Sequence, residues 1–293
     1  MLKKIKREIL KYWYVIEKLI THIKMSLKFI FCKSKFGVYH GNKRNENIIV
    51  SLTSFPGRID KIHLCIKALL LQEIKPDKII LYLGEDEFKN IELPSNLLEL
   101  KKFGLEIRFR KDLKPHTKYY YAMQEFPDAA IVTVDDDAYY SRSLVGDLYN
   151  AHTKYPNQVI CTRAHKIRTQ DGVILPYAQW DYETKDIVES SHYLMATGVG
   201  GVLYPAKVFP QETFNEERII ALSLRQDDVW LKVMEIIGGI KVHAIPSKKT
   251  SYVVGIWGSE KIALFKSNVG CSDNDLYIRQ VFSYYSIDET KMS

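Results

Sequence analysis

Ala129-Ala130-Ile131-Val132-Thr133-Val134-Asp135-Asp136-Asp137 is the stretch on which the reading of the fold turns. Ile131 to Val134 is a short, β-branched apolar run, the mark of an interior strand in a sheet covered on both faces. Three carboxylates follow where that strand emerges, and they repel one another unless something positive neutralises them. A hard divalent cation, Mn2+ or Mg2+, is the candidate, because such ions prefer oxygen ligands and keep water or phosphate in their shell. Alternate residues of an extended chain share a face, which lets Asp135 and Asp137 converge as metal ligands while Asp136 points away. The competing reading is a solvated acidic turn.

Upstream of this strand the sequence alternates. Asn47 to Leu52 predicts a strand, and Asp60 to Gln72 an amphipathic helix with Asp60 as its N-cap. Lys78 to Leu83 predicts a second strand, Ser95 to Phe103 a helix closed by Gly104, Leu105 to Arg110 a third strand and Thr117 to Glu125 another helix. Strand and helix alternating in this way imply an α/β fold, a mostly parallel sheet with helices on both faces and right-handed crossovers. Ligands of such sheets bind beyond the carboxyl ends of the strands. Asp135 to Asp137 occupies one such end, and Thr53-Ser54-Phe55-Pro56-Gly57-Arg58 another. The second half is less regular. It predicts a helix over Ser141 to Lys154, a strand over Gln158 to Thr162, a hairpin and aromatic loop over 166 to 197, and Gly198-Val199-Gly200-Gly201 leading into Val202-Leu203-Tyr204. A helix from Asp227 to Ile237, a strand over Ile240 to Ala244 and a closing helix from Asp273 to Tyr285 complete it.

The net charge of +7 is unevenly spread over the 293 residues. Residues 1 to 35 carry ten Lys/Arg against Glu8 and Glu17, which makes +8 and leaves −1 for the rest. A neutral body argues against a nucleic-acid partner, which calls for a basic face. The basic segment has helical periodicity, with Leu2, Ile5, Ile9, Trp13, Ile16, Ile20, Ile23, Leu27 and Ile30 at spacings of three and four. Charges interrupt almost every turn, so it is neither a transmembrane span nor a signal peptide. Two uses fit residues 1–31: peripheral contact with an anionic membrane, or packing on the body or on a twin chain in a homo-oligomer. The chain thus divides into a basic amphipathic helix, 1–36, and a body, 45–290. Cys32, Cys65, Cys161 and Cys271 have neither zinc nor disulfide spacing, which fits reduced thiols in the cytosol.

Over roughly residues 47 to 285 the order of these motifs resembles the GT-A class of nucleotide-sugar glycosyltransferases, with their Rossmann-like sheet. In that class an Asp-x-Asp at a strand end holds Mn2+ or Mg2+ against the donor diphosphate, and Asp135-Asp136-Asp137 matches it. A short acidic pair opening a later helix lies next to the acceptor, and here it is Asp227-Asp228. The resemblance implies donor contacts from the first loop (Thr53, Phe55, Arg58), from Lys118 before the metal strand, from Asp136, and from Gly200 and Gly201 beside the donor sugar. The pair is Asp-Asp, where the class more often has Glu-Asp. His243, the late histidine, has the apolar neighbours of a core or edge-strand residue.

The implied chemistry is transfer of a sugar from a nucleotide-diphosphate donor, a UDP-sugar first, to a carbohydrate or lipid-linked acceptor. Asp228 is the candidate general base, with Asp227 orienting it or the acceptor; the competing reading of the pair is charge complementing a helix N-terminus. Trp180, Tyr182, Tyr193 and Trp230 are candidates for stacking on the acceptor. The basic helix places this reaction, in surface polysaccharide or glycolipid synthesis, at the cytoplasmic face of the cell membrane. Two rivals stand beside it: a metal-dependent nucleotidyltransferase, and a non-catalytic membrane-tethered scaffold.

Overall fold

The computed structural model describes residues 2–42, 44–184, 189–246, 252–259 and 273–292. Along the chain run α1 (Leu2–Phe31), β1 (Ile48–Ser54), α2 (Ile59–Leu70), β2 (Lys78–Gly84), β3 (Leu105–Arg110), α3 (Thr117–Glu125), β4 (Ala130–Thr133), β5 (Ala138–Tyr140), α4 (Leu144–His152), β6 (Val159–Cys161), β7 (Ala164–Lys166), β8 (Leu194–Ala196), β9 (Val202–Tyr204), α5 (Glu216–Leu222), α6 (Asp227–Ile237), β10 (Val242–Ala244), β11 (Val253–Gly255) and α7 (Asp273–Tyr284). Short helical turns and a two-residue hairpin, Thr169–Gln170 with Val173–Ile174, lie between them.

Seven strands form one sheet in the order β10-β6-β9-β4-β1-β2-β3. β1 to β4 pair in parallel, β10 parallels β6, and β9 runs antiparallel to both β4 and β6. The architecture is the α/β, mostly parallel sheet that the alternation predicts. Strand pleating assigns its two faces. Ile48, Val50 and Leu52 turn toward α2 and pack with Ile62, Ile66 and Leu69, all fully buried. Ile49 turns the other way, toward Tyr82 and Ala122 of α3. A further core surrounds α6, where Trp230, Val233 and Met234 meet Val202, Val242 and, from α7, Val281 and Phe282.

Helix ends depart from expectation in small ways. Arg58 occupies the N-cap position of α2, and Asp60 lies in its first turn, where its charge complements the helix dipole. The predicted helix over Ser95 to Phe103 is a turn of α-helix, Ser95–Leu98, continued as a 3-10 helix, Glu99–Phe103. Gly104 closes it at φ 105°, a left-handed conformation that suits glycine.

α1 packs on the body along one side, with Lys18, Met25 and Phe29 buried. His22 Nδ1 lies 2.7 Å from the Tyr139 hydroxyl, and the Phe29 ring is tilted 6.4 Å from that of Tyr139. Leu2, Ile5, Ile9 and Trp13 have side chains outside the described set, as does Cys271. Among the described residues no helix is long and apolar enough to cross a membrane.

Candidate active site

Strand register assembles the site. β1 and β4 pair with Ser51 opposite Thr133, so a further three residues along each parallel chain bring Ser54 beside Asp136. The Ser54 hydroxyl donates to Asp136 Oδ2 at 2.5 Å, and Arg58 Nη1 donates to Asp136 Oδ1 at 2.6 Å. Arg58 Nη2 reaches Asp137 Oδ2 at 3.1 Å. Asp136 is therefore the inward member of the triplet, buried under the first loop, while the Asp135 and Asp137 side chains stay 31% and 23% exposed. The turn is clamped through its backbone. Asp135 N–H donates to the Tyr140 hydroxyl at 2.9 Å, Tyr140 donates to Val199 O at 3.1 Å, and Ile256 N–H donates to Asp137 O at 2.7 Å.

α3 adds the central cation. The Ser51 hydroxyl donates to Lys118 O, fixing the start of α3 against β1. The Lys118 ammonium then lies 2.8 Å from Asp135 Oδ1 and 3.0 Å from Asp227 Oδ2. It joins the two acidic motifs in one cluster. Asp227 and Asp228 open α6, where the helix dipole favours negative charge, and Gly198 N–H donates to Asp228 Oδ1 at 3.1 Å. The acids sit at a helix N-terminus, and they also face the triplet. Gly198 is the glycine that this geometry needs. A Cβ there would stand 2.8 Å from Lys118 Nζ, 3.3 Å from Asp228 Oδ1 and 3.4 Å from Asp135 Oδ1.

Five carboxylates thus meet two cations, Arg58 and Lys118, and burial together with the excess negative charge shifts their proton affinities. Burial, opposed by Arg58 and reinforced by Asp135 and Asp136, pushes Asp137 up to about 6. Burial and the adjacent Asp227 push Asp228 up to about 8, whereas Lys118 holds Asp227 below the usual carboxylate range against its own burial. Burial opposes the charge on Lys118, and Asp135 with Asp227 outweighs it, raising the ammonium well above its ordinary value.

Oxygen donors at Asp135 and Asp137 suit Mg2+ or Mn2+, which are commonly held by one or two carboxylates with substrate phosphate completing the shell. Each of these carboxylates meets its lysine or arginine partner through one oxygen, Oδ1 of Asp135 and Oδ2 of Asp137. Among the described residues no three His, Cys, Asp or Glu side chains converge into a self-contained metal cage. The donor set fits a metal shared with a ligand better than one held by protein alone.

Other expected contacts are placed as follows. The Thr53 hydroxyl donates to Tyr82 O at 3.0 Å, and the Arg58 guanidinium lies 5.4 Å from the Phe55 ring centroid. A Cβ on Gly200 would meet Arg163 Cβ at 2.6 Å, and Gly201, at φ 88°, faces Leu144, so packing accounts for both glycines. Trp180 and Trp230 are buried and donate to Leu175 O and Thr213 O, which makes them core residues. Tyr182 is 46% exposed and packs edge-on to His165. His243 stacks on Tyr155 at 4.1 Å in edge strand β10. Ser54, Tyr140 and Gly198 are the contributors that spacing alone did not single out.

A cavity of about 90 Å³ opens beside Arg58, Asp136 and Asp137, walled by Lys61, Ile256 and Gly258. A larger one, about 470 Å³, adjoins Phe126, Ile131, Phe209 and Phe214 at the other end of β4. It holds no carboxylate among its described lining residues, whereas the smaller one borders Asp136 and Asp137.

No protein-family model matches the chain, and no curated protein does. Solved structures similar to it include a mannosyltransferase from Pyrobaculum calidifontis in complex with GDP-Man and Mn2+, at 10% identity over 82% of this chain and 69% of that one, TM-score 0.45. CMP:2-keto-3-deoxy-manno-octonic acid synthetase complexed with CTP matches at 11% identity over 76% of this chain and all of that one, TM-score 0.44. S. aureus TarS 1-349 with UDP matches at 12% identity over 71% of this chain and 59% of that one, TM-score 0.43.

Proposed function

We propose that the chain is a metal-dependent glycosyltransferase of GT-A type. It moves a sugar from a nucleotide-diphosphate donor, a UDP-sugar first, to a carbohydrate or lipid-linked acceptor in surface polysaccharide or glycolipid synthesis at the cytoplasmic face of a membrane. The observation that carries this reading is the Lys118 ammonium, which brings the strand-end triplet and the α6 acid pair to one point. Donor-side and acceptor-side carboxylates must lie that close for a hydroxyl to attack a carbon bonded to phosphate.

Mn2+ or Mg2+, when bound, supplies Lewis-acid neutralisation of the charge that gathers on a departing diphosphate. Asp135 and Asp137 are the residues that would hold it. Asp136, paired with Arg58, keeps the first loop against the triplet. Lys118 positions Asp135 and Asp227 and keeps Asp227 charged. Asp228 takes the proton from the attacking acceptor hydroxyl; a carboxylate whose affinity for protons lies near neutral pH is a far better base than an ordinary one. Asp227 binds acceptor hydroxyls or orients Asp228.

Calorimetric titration of UDP and GDP, with and without Mn2+, on wild type and Asp137→Ala tests the donor half. Metal-dependent binding of one nucleotide, lost in the variant, is the expected outcome; binding of neither overturns it. Transfer of label from the sugar, and not from the nucleotide, separates this activity from nucleotidyl transfer. Sugar-nucleotide hydrolysis separates it from a scaffold.

A further inference from the structure

α1 has two apolar faces, and the body uses one of them. Lys18, His22, Met25 and Phe29, at i, i+4, i+7 and i+11, turn inward. Ile16, Ile20, Ile23, Leu27 and Ile30, at i, i+4, i+7, i+11 and i+14, run along the opposite side of the same helix. This second stripe is open, from 44% exposure at Ile20 to 69% at Ile30, and Phe31 beyond it is 79% exposed. Isolated exposed leucines mean little, but a continuous helical stripe of this length marks a docking surface.

We infer that the outward face of α1 docks on an anionic lipid bilayer, lying flat in its interface. Charge selects this occupant. Lys24, Lys28, Lys33 and Lys35 stand exposed beside the stripe, within a 35-residue segment of net charge +8. A second copy of the chain would bring two such segments face to face, and they would repel. Anionic headgroups attract the lysines while the acyl boundary takes the isoleucines, the arrangement of an interfacial amphipathic helix. The orientation follows from the inward face. Tyr139, against which His22 and Phe29 rest, lies two residues after Asp137 on β5. A helix is about 10–12 Å across, so the bilayer would lie roughly one helix diameter from the strand that carries the aspartate turn. This surface is independent of the transfer chemistry proposed above.

Co-sedimentation of the full chain with vesicles tests it, using phosphatidylcholine alone and phosphatidylcholine with roughly 30% phosphatidylglycerol. Binding to the anionic vesicles, little to the neutral ones, and release by salt are expected. Ile23→Glu/Leu27→Glu should lower the bound fraction at least tenfold, by about the same factor as Lys24→Glu/Lys28→Glu, with thermal unfolding unchanged. Leu27→Gln, which adds no charge, should lower it in the same direction and serves if the double variant misfolds. Equal binding to both vesicle types, no binding, or binding insensitive to all these changes overturns the inference. So does a dimer in vesicle-free sedimentation that Ile23→Glu/Leu27→Glu dissociates, which would assign the stripe to a second copy.

Discussion

Lys118→Met removes one charge and little volume, and it isolates what the buried ammonium does. The methionine keeps an unbranched side chain in the same channel and leaves the Ser51 bond to the Lys118 carbonyl in place. What disappears is a cation 2.8 Å from Asp135 and 3.0 Å from Asp227, with Asp228 close by. At an effective dielectric of about 20 each contact is worth about 5–6 kcal/mol before desolvation is counted. Removing one partner of a buried ion pair costs about 3–5 kcal/mol, because the other charge stays behind. We therefore expect Lys118→Met to lose about 3–5 kcal/mol, or roughly 5–8 °C in Tm for a chain of this size. The assay is denaturant and thermal unfolding by circular dichroism in EDTA at neutral pH. Adding Asp227→Asn to Lys118→Met should recover about 2 kcal/mol, since it removes a charge that no longer has a partner. A single variant within about 1 kcal/mol of wild type, or a double variant less stable than the single one, would refute the bridging role of the ammonium.

Three further outcomes follow from the same geometry. Gly198→Ala should cut sugar transfer at least about tenfold and lower Tm as well, because its Cβ collides with the Lys118 ammonium held between Asp135 and Asp227; Gly201→Ala, at φ 88°, should cost about 1–2 kcal/mol in backbone strain. Asp228→Asn should reduce kcat by about 10²–10⁴-fold with KM nearly constant in a labelled-sugar assay, and a kcat within about twofold of wild type would remove Asp228 from the base role. Acid should destabilise the fold through His116. This histidine is fully buried, with Nε2 2.7 Å from Ser223 O and Nδ1 3.0 Å from the Tyr119 hydroxyl, so the neutral ring satisfies both neighbours. Burial, opposed by Asp227 and assisted by Lys118, lowers it from 6.5 to about 4. A lowered folded value means that the unfolded chain binds the proton first, so stability is full above pH 6.5 and falls as pH drops toward 4, by about 3 kcal/mol in all. Unfolding free energy measured across that window should fall less steeply for His116→Gln, and an unchanged slope would assign the acid sensitivity elsewhere.

Much of the scaffold was legible because its elements are long or strongly punctuated. Thr117–Glu125 and Asp227–Ile237 lie where the periodicity puts them, each with polar residues at its start and an apolar side facing a core. The strand before the triplet was legible because six consecutive apolar or β-branched residues, Ala129 to Val134, are bounded by Asp128 and Asp135. β5, β8 and β11 were not: three residues carry no period, and β5 and β11 pair across more than a hundred intervening residues. Asp136 was readable as the member turned away from its neighbours, but not the Ser54 and Arg58 waiting for it, since that meeting depends on the β1–β4 register. The role of Gly198 was hidden for a related reason. The three glycines of the turn look alike in sequence, and only the position of Lys118 shows which of them faces the acid cluster.

The β1–β4 register also dictates when the site can come into being. Lys118 and Asp135 are 17 residues apart and Gly198 and Asp228 are 30, so each of these pairs closes a short loop. Ser54 and Arg58 reach Asp136 across 82 and 78 residues, and Lys118 waits for Asp227 from beyond β9. Contacts of such separation are slow to form, because the entropy of loop closure precedes any reward. During synthesis Lys118 therefore emerges with a single acidic partner, and the second arrives only after the latter half of the sheet has been made. The acid cluster is therefore complete only once α6 has been made, and the clamp of Ile256 on the Asp137 carbonyl is drawn from residues made later still.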